Sequence, residues 1–291
     1  MSWRTVVIEE NAKLDYQLGY MVVRKDKIIK IHLSEISNVI IETTAVSITS
    51  ALLCELIKNK IKVIFCDEKR NPLSELMPCH GSHDSSRKIR NQIKWDGFIK
   101  EKIWTEIVRQ KIICQKELLH YLGRYKEENI IKSYIEEIKQ GDETNREGHA
   151  AKVYFNSLFG MNFTRDDCCE INSALNYGYS IILSAFNREI SACGYITQIG
   201  IFHDNIFNHF NLSSDLMEPF RPLIDKKVYF MNMDRFGKDE KRELLSVLNM
   251  EVYIGGRKEY VNNAIGIYCR SVFEALNEKD PSIIEFYRNE L

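Results

Sequence analysis

Short β-branched runs dominate the first 75 residues. Thr5-Val6-Val7-Ile8, Tyr20-Met21-Val22-Val23, Ile28-Ile29-Lys30-Ile31 and Val39-Ile40-Ile41 are separated by polar turns such as Arg24-Lys25-Asp26-Lys27, which is the pattern of short strands. A helix is expected from about Ser47 to Asn59, where Ala51, Leu52, Cys54, Leu56 and Ile57 are apolar, and a further strand at Lys62 to Cys66. So few residues leave a thin core, which favours packing against another copy or another domain. Asn71 to Ser86, rich in Pro, Ser and Asp with one Gly, reads as a linker.

From Ser86 the period changes to helical. Ile89, Ile93, Trp95, Phe98, Ile99, Ile103, Ile107, Ile112, Ile113, Leu118 and Leu119 predict one long helix, or two with a bend near Gly97. A helix from about Glu127 to Lys139 follows. Gly141 to Asn145 resets the chain into a helix that holds Glu147 and runs to about Leu158. Asp166 is expected to cap an apolar helix from Cys168 to about Cys193, ended by Gly194, with a polar side of Asn176, Tyr177, Tyr179, Ser180, Ser184, Asn187 and Arg188. The expected class is α+β: a β-sandwich-like domain with one helix over residues 1–75, a linker at 71–86, and a larger all-α domain over 87–291.

Composition adds limits rather than detail. With 44% hydrophobic and 28% charged residues in 291 and a net charge of -1, the chain is an ordinary globular protein. No apolar run approaches the ~20 residues of a membrane span, and the N-terminus lacks the order of a signal peptide, so a cytoplasmic protein without a membrane partner is expected. Eight cysteines occur without a CxxC pair, which predicts reduced, mostly buried thiols rather than a zinc site or disulfides.

The chemistry concentrates between Gln198 and Asp225. Asp215, Glu218, Arg221, Pro222 and Asp225 recur every three or four residues, which stacks two carboxylates and a guanidinium on one helical face. Ser213 or Ser214 is the expected N-cap, and Leu216, Met217, Phe220 and Leu223 the buried face. The first turn has no Lys to pair with the acids. They could serve only the helix N-terminus. Joined by Glu147 and by His203, which follows an apolar run, they form instead a carboxylate-rich set with one imidazole, suited to Mg²⁺ or Mn²⁺. Glu147, His203 and Glu218 are the expected metal ligands, and Asp215 the direct or water-mediated support. Arg87, Lys88, Arg90 and Lys94 sit where a loop becomes a helix and suit phosphate contact. With them, Arg257, Lys258 and Tyr154 are candidate DNA contacts. Arg235, Lys238, Lys241 and Arg242, interleaved with Phe236, Tyr253 and Tyr260, suit a splayed DNA end equally with a solvated helical surface. The spacing of His80 and His83 could suit a metal, but no Cys or acid completes a tetrahedral set with them, and a mobile linker is the expected reading.

Four stretches, EGHAAKVYF, GIFH, SSDLMEPFRPLID and IGGRKEYVNNAI, resemble the CRISPR-associated protein 1 family, the metal-dependent integrases of CRISPR spacer acquisition. The resemblance follows the whole chain in order and is nearest to the short type II-A members. It implies metal ligands at Glu147, His203 and one of Asp215 or Glu218, a turn at Gly255-Gly256 into a final helix from Glu259 to Leu276, and a homodimer through the β domain. It further implies CRISPR-associated protein 2 as partner, double-stranded fragments with free 3′ ends and leader-repeat DNA as substrates, and the type II effector nuclease as a further associate. A stand-alone metal-dependent nuclease and a non-catalytic DNA scaffold are the other readings of the same residues.

Overall fold

The structure, a computed structural model, describes residues 4–78, 82–231 and 235–289. The chain forms two compact units, residues 1–81 and 82–291.

In the first unit, β1 (Arg4–Ile8), β5 (Ile36–Ile41), β7 (Lys62–Cys66) and β8 (Pro72–Glu75) form one sheet in that order, parallel except for β8. Every residue of β5, Ile-Ser-Asn-Val-Ile-Ile, is buried, as expected of a central parallel strand covered on both faces. A second sheet has the order β4 (Ile28–His32), β3 (Tyr20–Arg24), β2 (Ala12–Gln17) and β6 (Val46–Ile48). Leu18 and Gly19 both take positive φ, 46° and 86°, as the two-residue turn joining β2 to β3 requires. Val6, Leu14, Met21, Val23, Ile36, Val39 and Val63 of both sheets share one core with Leu52 and Leu56 of α1 (Ser50–Lys58). Thr49 caps α1 by accepting from the Leu52 amide.

Three strands depart from the expectation. β2 has only Leu14 fully buried, so its apolar signal is weak. β6 is three residues long and takes the start expected for the helix. β8 lies within the expected linker, where pairing with β7 supplies the order that its Pro72 and Ser74 do not suggest. His83 is exposed, while Cys79 and His80 lie outside the described residues.

The second unit is built around α3 (Gly97–Tyr121), which packs against α4 (Tyr125–Glu136), α5 (Arg146–Phe159), α8 (Arg221–Phe230) and α10 (Val261–Glu278). Ile103, Ile107, Val108, Ile112 and Leu119 of α3 are wholly buried, each stabilising by about 1.5–3 kcal/mol. α2 (Ser85–Ile93) stops before it, because Asp96 accepts from the Phe98 and Ile99 amides and starts a new helix. α6 (Glu170–Ala192) is capped by Cys169, whose sulfur accepts from the Asn172 amide, not by Asp166. α7 (Asn211–Leu216) and α9 (Lys238–Leu245) complete the helices.

The unit is not all-α. β9 (Glu251–Ile254) and β10 (Arg257–Tyr260) form an antiparallel hairpin around Gly255 and Gly256, whose φ values of 59° and 75° fit its tight turn. Among the described residues no helix is long and apolar enough to cross a membrane. Of the seven described cysteines only Cys66, Cys114 and Cys269 are buried, fewer than expected.

Candidate active site

The segment expected as one amphipathic helix is three pieces. α7 starts at Asn211, so neither Ser213 nor Ser214 is its cap. A 3-10 turn at Glu218–Phe220 follows, with Pro219 denying the helix an amide, and α8 begins at Arg221. Both faces are inside the protein: Asp215, Glu218 and Asp225 are as buried as Leu216, Phe220 and Leu223.

Buried acids need partners, and each of these has different ones. Asp215 has no exposed surface. Its Oδ2 accepts from the amides of Ile201 (2.6 Å) and Phe202 (3.0 Å), and its Oδ1 from the His203 amide (3.1 Å) and from Nδ1 of the His203 ring (2.5 Å). Asp215 therefore folds the Ile201–His203 loop around itself and fixes the tautomer of His203, which leaves Nε2 as the ring's lone-pair nitrogen. The Asp215 hydrogen bond lifts the His203 pKa above the ordinary histidine value, against the pull of burial. Gly200 makes the loop possible, since a Cβ there would lie 2.4 Å from the His203 carbonyl oxygen and 2.7 Å from Asp215 Oδ2. Phe202 stacks on the buried Trp104 of α3 at 4.4 Å between ring centres, and Trp104 meets the His203 ring edge-on at 5.8 Å. On the far side, Gln92 of α2 clamps the approach to the loop, donating to the Ile196 and Ile199 carbonyls and accepting from the Ile196 amide.

Glu147 arrives from α5. Asn145, in the left-handed conformation, caps that helix by accepting from the Gly148 amide, and Asp142 accepts from the amides of Arg146 and Glu147. A Cβ at residue 148 would lie 2.7 Å from Asn145 Oδ1, which is why Gly follows Glu147.

A cation the sequence reading did not single out joins the two carboxylates. Lys111 Nζ lies 2.5 Å from Glu147 Oε1 and 2.5 Å from Glu218 Oε2. The other oxygen of Glu218, Oε1, accepts from Arg221 Nε at 2.9 Å. Burial alone would raise the Glu218 pKa and lower that of Lys111. Arg221 and Lys111 hold Glu218 ionised below its ordinary value, and Glu218 with Glu147 holds Lys111 protonated above its own. The signal for Lys111 was present in the sequence: it falls on the stripe Trp104, Ile107, Val108, Cys114, Gln115, Leu118, whose other members are buried.

Asp225 lies one layer further in. It accepts from Tyr179 Oη and, at 3.1 Å, from Tyr154 Oη, and burial pushes its pKa up to about 6. Arg221 bridges the layers, its guanidinium 4.6 Å from the Tyr179 ring centre.

Glu147, His203, Glu218 and Asp215 thus come together with three different roles. Among the described residues no three His, Cys, Asp or Glu side chains form a ready metal cage. Lys111 fills the space between two of the expected ligands, and Asp215 is spent on the His203 loop. The donor set nevertheless fits a hard divalent ion: Glu218 Oε2 is buried, beside Lys111 but without a well-directed hydrogen bond, and His203 carries the carboxylate-backed imidazole typical of metal ligands.

The DNA candidates divide. Arg87 and Arg90 are exposed on α2, Arg87 pairing with Asp84 at 2.8 Å, and Lys88 pairs with the same carboxylate at 3.0 Å. Arg257 pairs with Glu259 and Lys258 lies over the Tyr253 ring, both on the exposed β9–β10 hairpin. Tyr154 is wholly buried and bound to Asp225, so its side chain is not at the surface to touch DNA. Lys241 is likewise buried, against Tyr177 and Phe236.

Residues 5–246 match the family model described as CRISPR associated protein Cas1. A protein of Neisseria meningitidis serogroup C named CRISPR-associated endonuclease Cas1 is 31% identical over 260 residues, which cover 87% of this chain and 86% of that one. Among solved structures, a casposase bound to integration product shares the fold with a TM-score of 0.75 at 18% identity, over 96% of this chain and 92% of that one. A Cas6-RT-Cas1–Cas2 complex matches with a TM-score of 0.71 at 18% identity, over 97% of this chain, which spans only 36% of the chain it matches there. With a model of the family matching most of its length and a curated relative aligned nearly end to end, the chain belongs to the CRISPR-associated Cas1 family.

Proposed function

We propose that this protein is the DNA integrase of CRISPR spacer acquisition, joining a DNA 3′-OH to a phosphodiester of the repeat with Mg²⁺ or Mn²⁺. The observation that carries the reading is the convergence of Glu147 and Glu218 on a single cation, beside an imidazole that a buried aspartate holds in one tautomer. Glu147, His203 and Glu218 would hold a divalent ion there, which would supply Lewis-acid polarisation of the phosphodiester and stabilisation of its developing charge. The chain's own residues prepare the place. Asp215 orients the imidazole and directs Nε2 to the role of ligand; Arg221 restrains Glu218 through Oε1 and leaves Oε2 as the donor. Trp104 stacks on Phe202 of the loop and meets the His203 ring edge-on, which restrains His203. Cleavage is the same displacement with water or a hydroxyl as nucleophile, so the endonuclease activity in the relative's name and the joining reaction share one site.

The partners of this reading are a second copy of the chain, CRISPR-associated protein 2, double-stranded fragments with free 3′ ends, leader-repeat DNA and the type II effector nuclease. Assignment to type II-A belongs to the same proposal. Arg87, Lys88, Arg90, Arg257 and Lys258 are the candidate phosphate contacts.

The test mixes the protein and its small partner with a short duplex and a supercoiled plasmid bearing a repeat, with Mn²⁺ or with EDTA. Joined product is expected only with the metal, reduced at least about 100-fold in Glu147→Gln and His203→Ala. Full joining by either folded variant would refute the assignment. Nicking without joining would leave a nuclease.

A further inference from the structure

Lys111 has a place in the site that the integrase reading by itself does not require. Its ammonium lies 2.5 Å from Glu147 Oε1 and 2.5 Å from Glu218 Oε2, on a central helix, with little of the side chain exposed. Without it, two half- or fully buried carboxylates would share one space with only Arg221, on the far oxygen of Glu218, to offset them, an arrangement that proteins avoid unless a cation intervenes.

From this geometry we infer that Lys111 is the resident counter-ion of the metal-free site, and that a divalent ion binds by displacing its ammonium from Glu147 and Glu218. The inference rests on the metal-site reading above. Mg²⁺ and Mn²⁺ take carboxylate oxygens at about 2.1 Å, so an ion gripped by the same two oxygens competes with the ammonium for the same lone pairs and is repelled by it. Glu218 has no alternative donor to offer, because its Oε1 is held by Arg221 at 2.9 Å. An ammonium on a four-carbon stem can leave by rotating its terminal torsions, which a fixed guanidinium such as Arg221 cannot do as readily. Lys111 is then a positioning residue. It keeps the carboxylates together while the site waits for its ion, and it sets how much free metal is needed to load it.

The experiment is a titration of the full chain with Mn²⁺ alone, followed by the electron paramagnetic resonance of the free ion, for the wild type, Lys111→Met and Lys111→Gln. Met keeps the apolar stem. Gln keeps a neutral hydrogen-bonding head in case the uncharged stem disturbs the fold. Both variants are expected to bind Mn²⁺ at least about tenfold more tightly than the wild type, because no cation has to be expelled, whereas a purely structural lysine would give equal or weaker binding. Unchanged or weaker affinity in the folded variants, with the wild type binding Mn²⁺ normally, overturns the inference and leaves the metal site standing. If wild type and Lys111 variants show no more binding than Glu147→Gln and His203→Ala, the metal site itself is wrong, and the inference falls with it.

Discussion

Asp215→Asn isolates the step by which a buried carboxylate creates a histidine ligand. The four N–H groups on Asp215 divide into two pairs: Ile201 and Phe202 amides on Oδ2, and the His203 amide and Nδ1 on Oδ1. Asn has the same shape but one oxygen, and either orientation points its amide nitrogen at one pair of donors. Two buried donors left facing a donor cost about 1–3 kcal/mol each, or 2–6 kcal/mol together. That cost falls on the Ile201–His203 loop first, so hydrogen exchange followed by mass spectrometry on peptides covering 196–210 is the direct assay. At about 1.4 kcal/mol per tenfold, the lower bound corresponds to a loss of protection of about 30-fold. The His203 pKa should fall toward the ordinary value of about 6.5, visible in its imidazole resonances, because the hydrogen bond that raises it is weakened. Strand joining should fall about 10- to 100-fold, as for partners that orient a metal ligand. Exchange within threefold of the wild type, with His203 titrating as before, would refute the reasoning, whatever happened to activity.

Two further expectations test the surroundings. Gly200→Ala places a Cβ 2.4 Å from a backbone carbonyl that moves only with the His203 loop, so denaturation should show a loss of about 1–3 kcal/mol or more, and wild-type stability would mean that the loop is looser than drawn. Burial pushes the Asp225 carboxyl up to about 6 in the folded chain, from the ordinary 3.8 of the unfolded one. Between those values the unfolded chain releases the proton while the folded chain keeps it, so this group's contribution to stability is present in full below pH 4 and lost as pH rises to 6. Relative to Asp225→Asn, the wild type should lose roughly 2–3 kcal/mol between pH 4 and pH 7, and a flat or rising difference across that range would contradict the buried-carboxyl assignment.

The strands β1, β3, β5 and β7 and the long helices are legible because their apolar runs agree with their burial, and β4 is legible from its β-branched run alone, since Ile28 and Ile29 are exposed. β2, β6 and β8 are not, since one buried residue, a three-residue length or a leading proline gives no period to read. The turn at Gly255-Gly256 is legible, but its strands are too short to read: β9 buries only Val252 and Ile254 between exposed Glu251 and Tyr253, and β10 carries Arg257, Lys258 and Glu259 and holds by pairing with β9. The largest misreading concerns Asp215 to Asp225. Spacing of three and four marks residues on one side of a helix but does not say whether that side meets water. Here Pro219 breaks the helix, and both sides are covered.

What the chain determined by itself is therefore its local chemistry: which stretches extend or coil, and that Glu147, His203, Asp215 and Glu218 have the donor types a hard metal ion takes. Tertiary structure decided the roles. Asp215 became the anchor of a loop fourteen residues upstream, Tyr154 was turned inward to Asp225, and Lys111, thirty-six residues before Glu147, became the cation between two acids. None of these pairings follows from spacing along the sequence, because each joins groups on different elements. Burial in a low-dielectric interior obliges every charge to find its partner across that space.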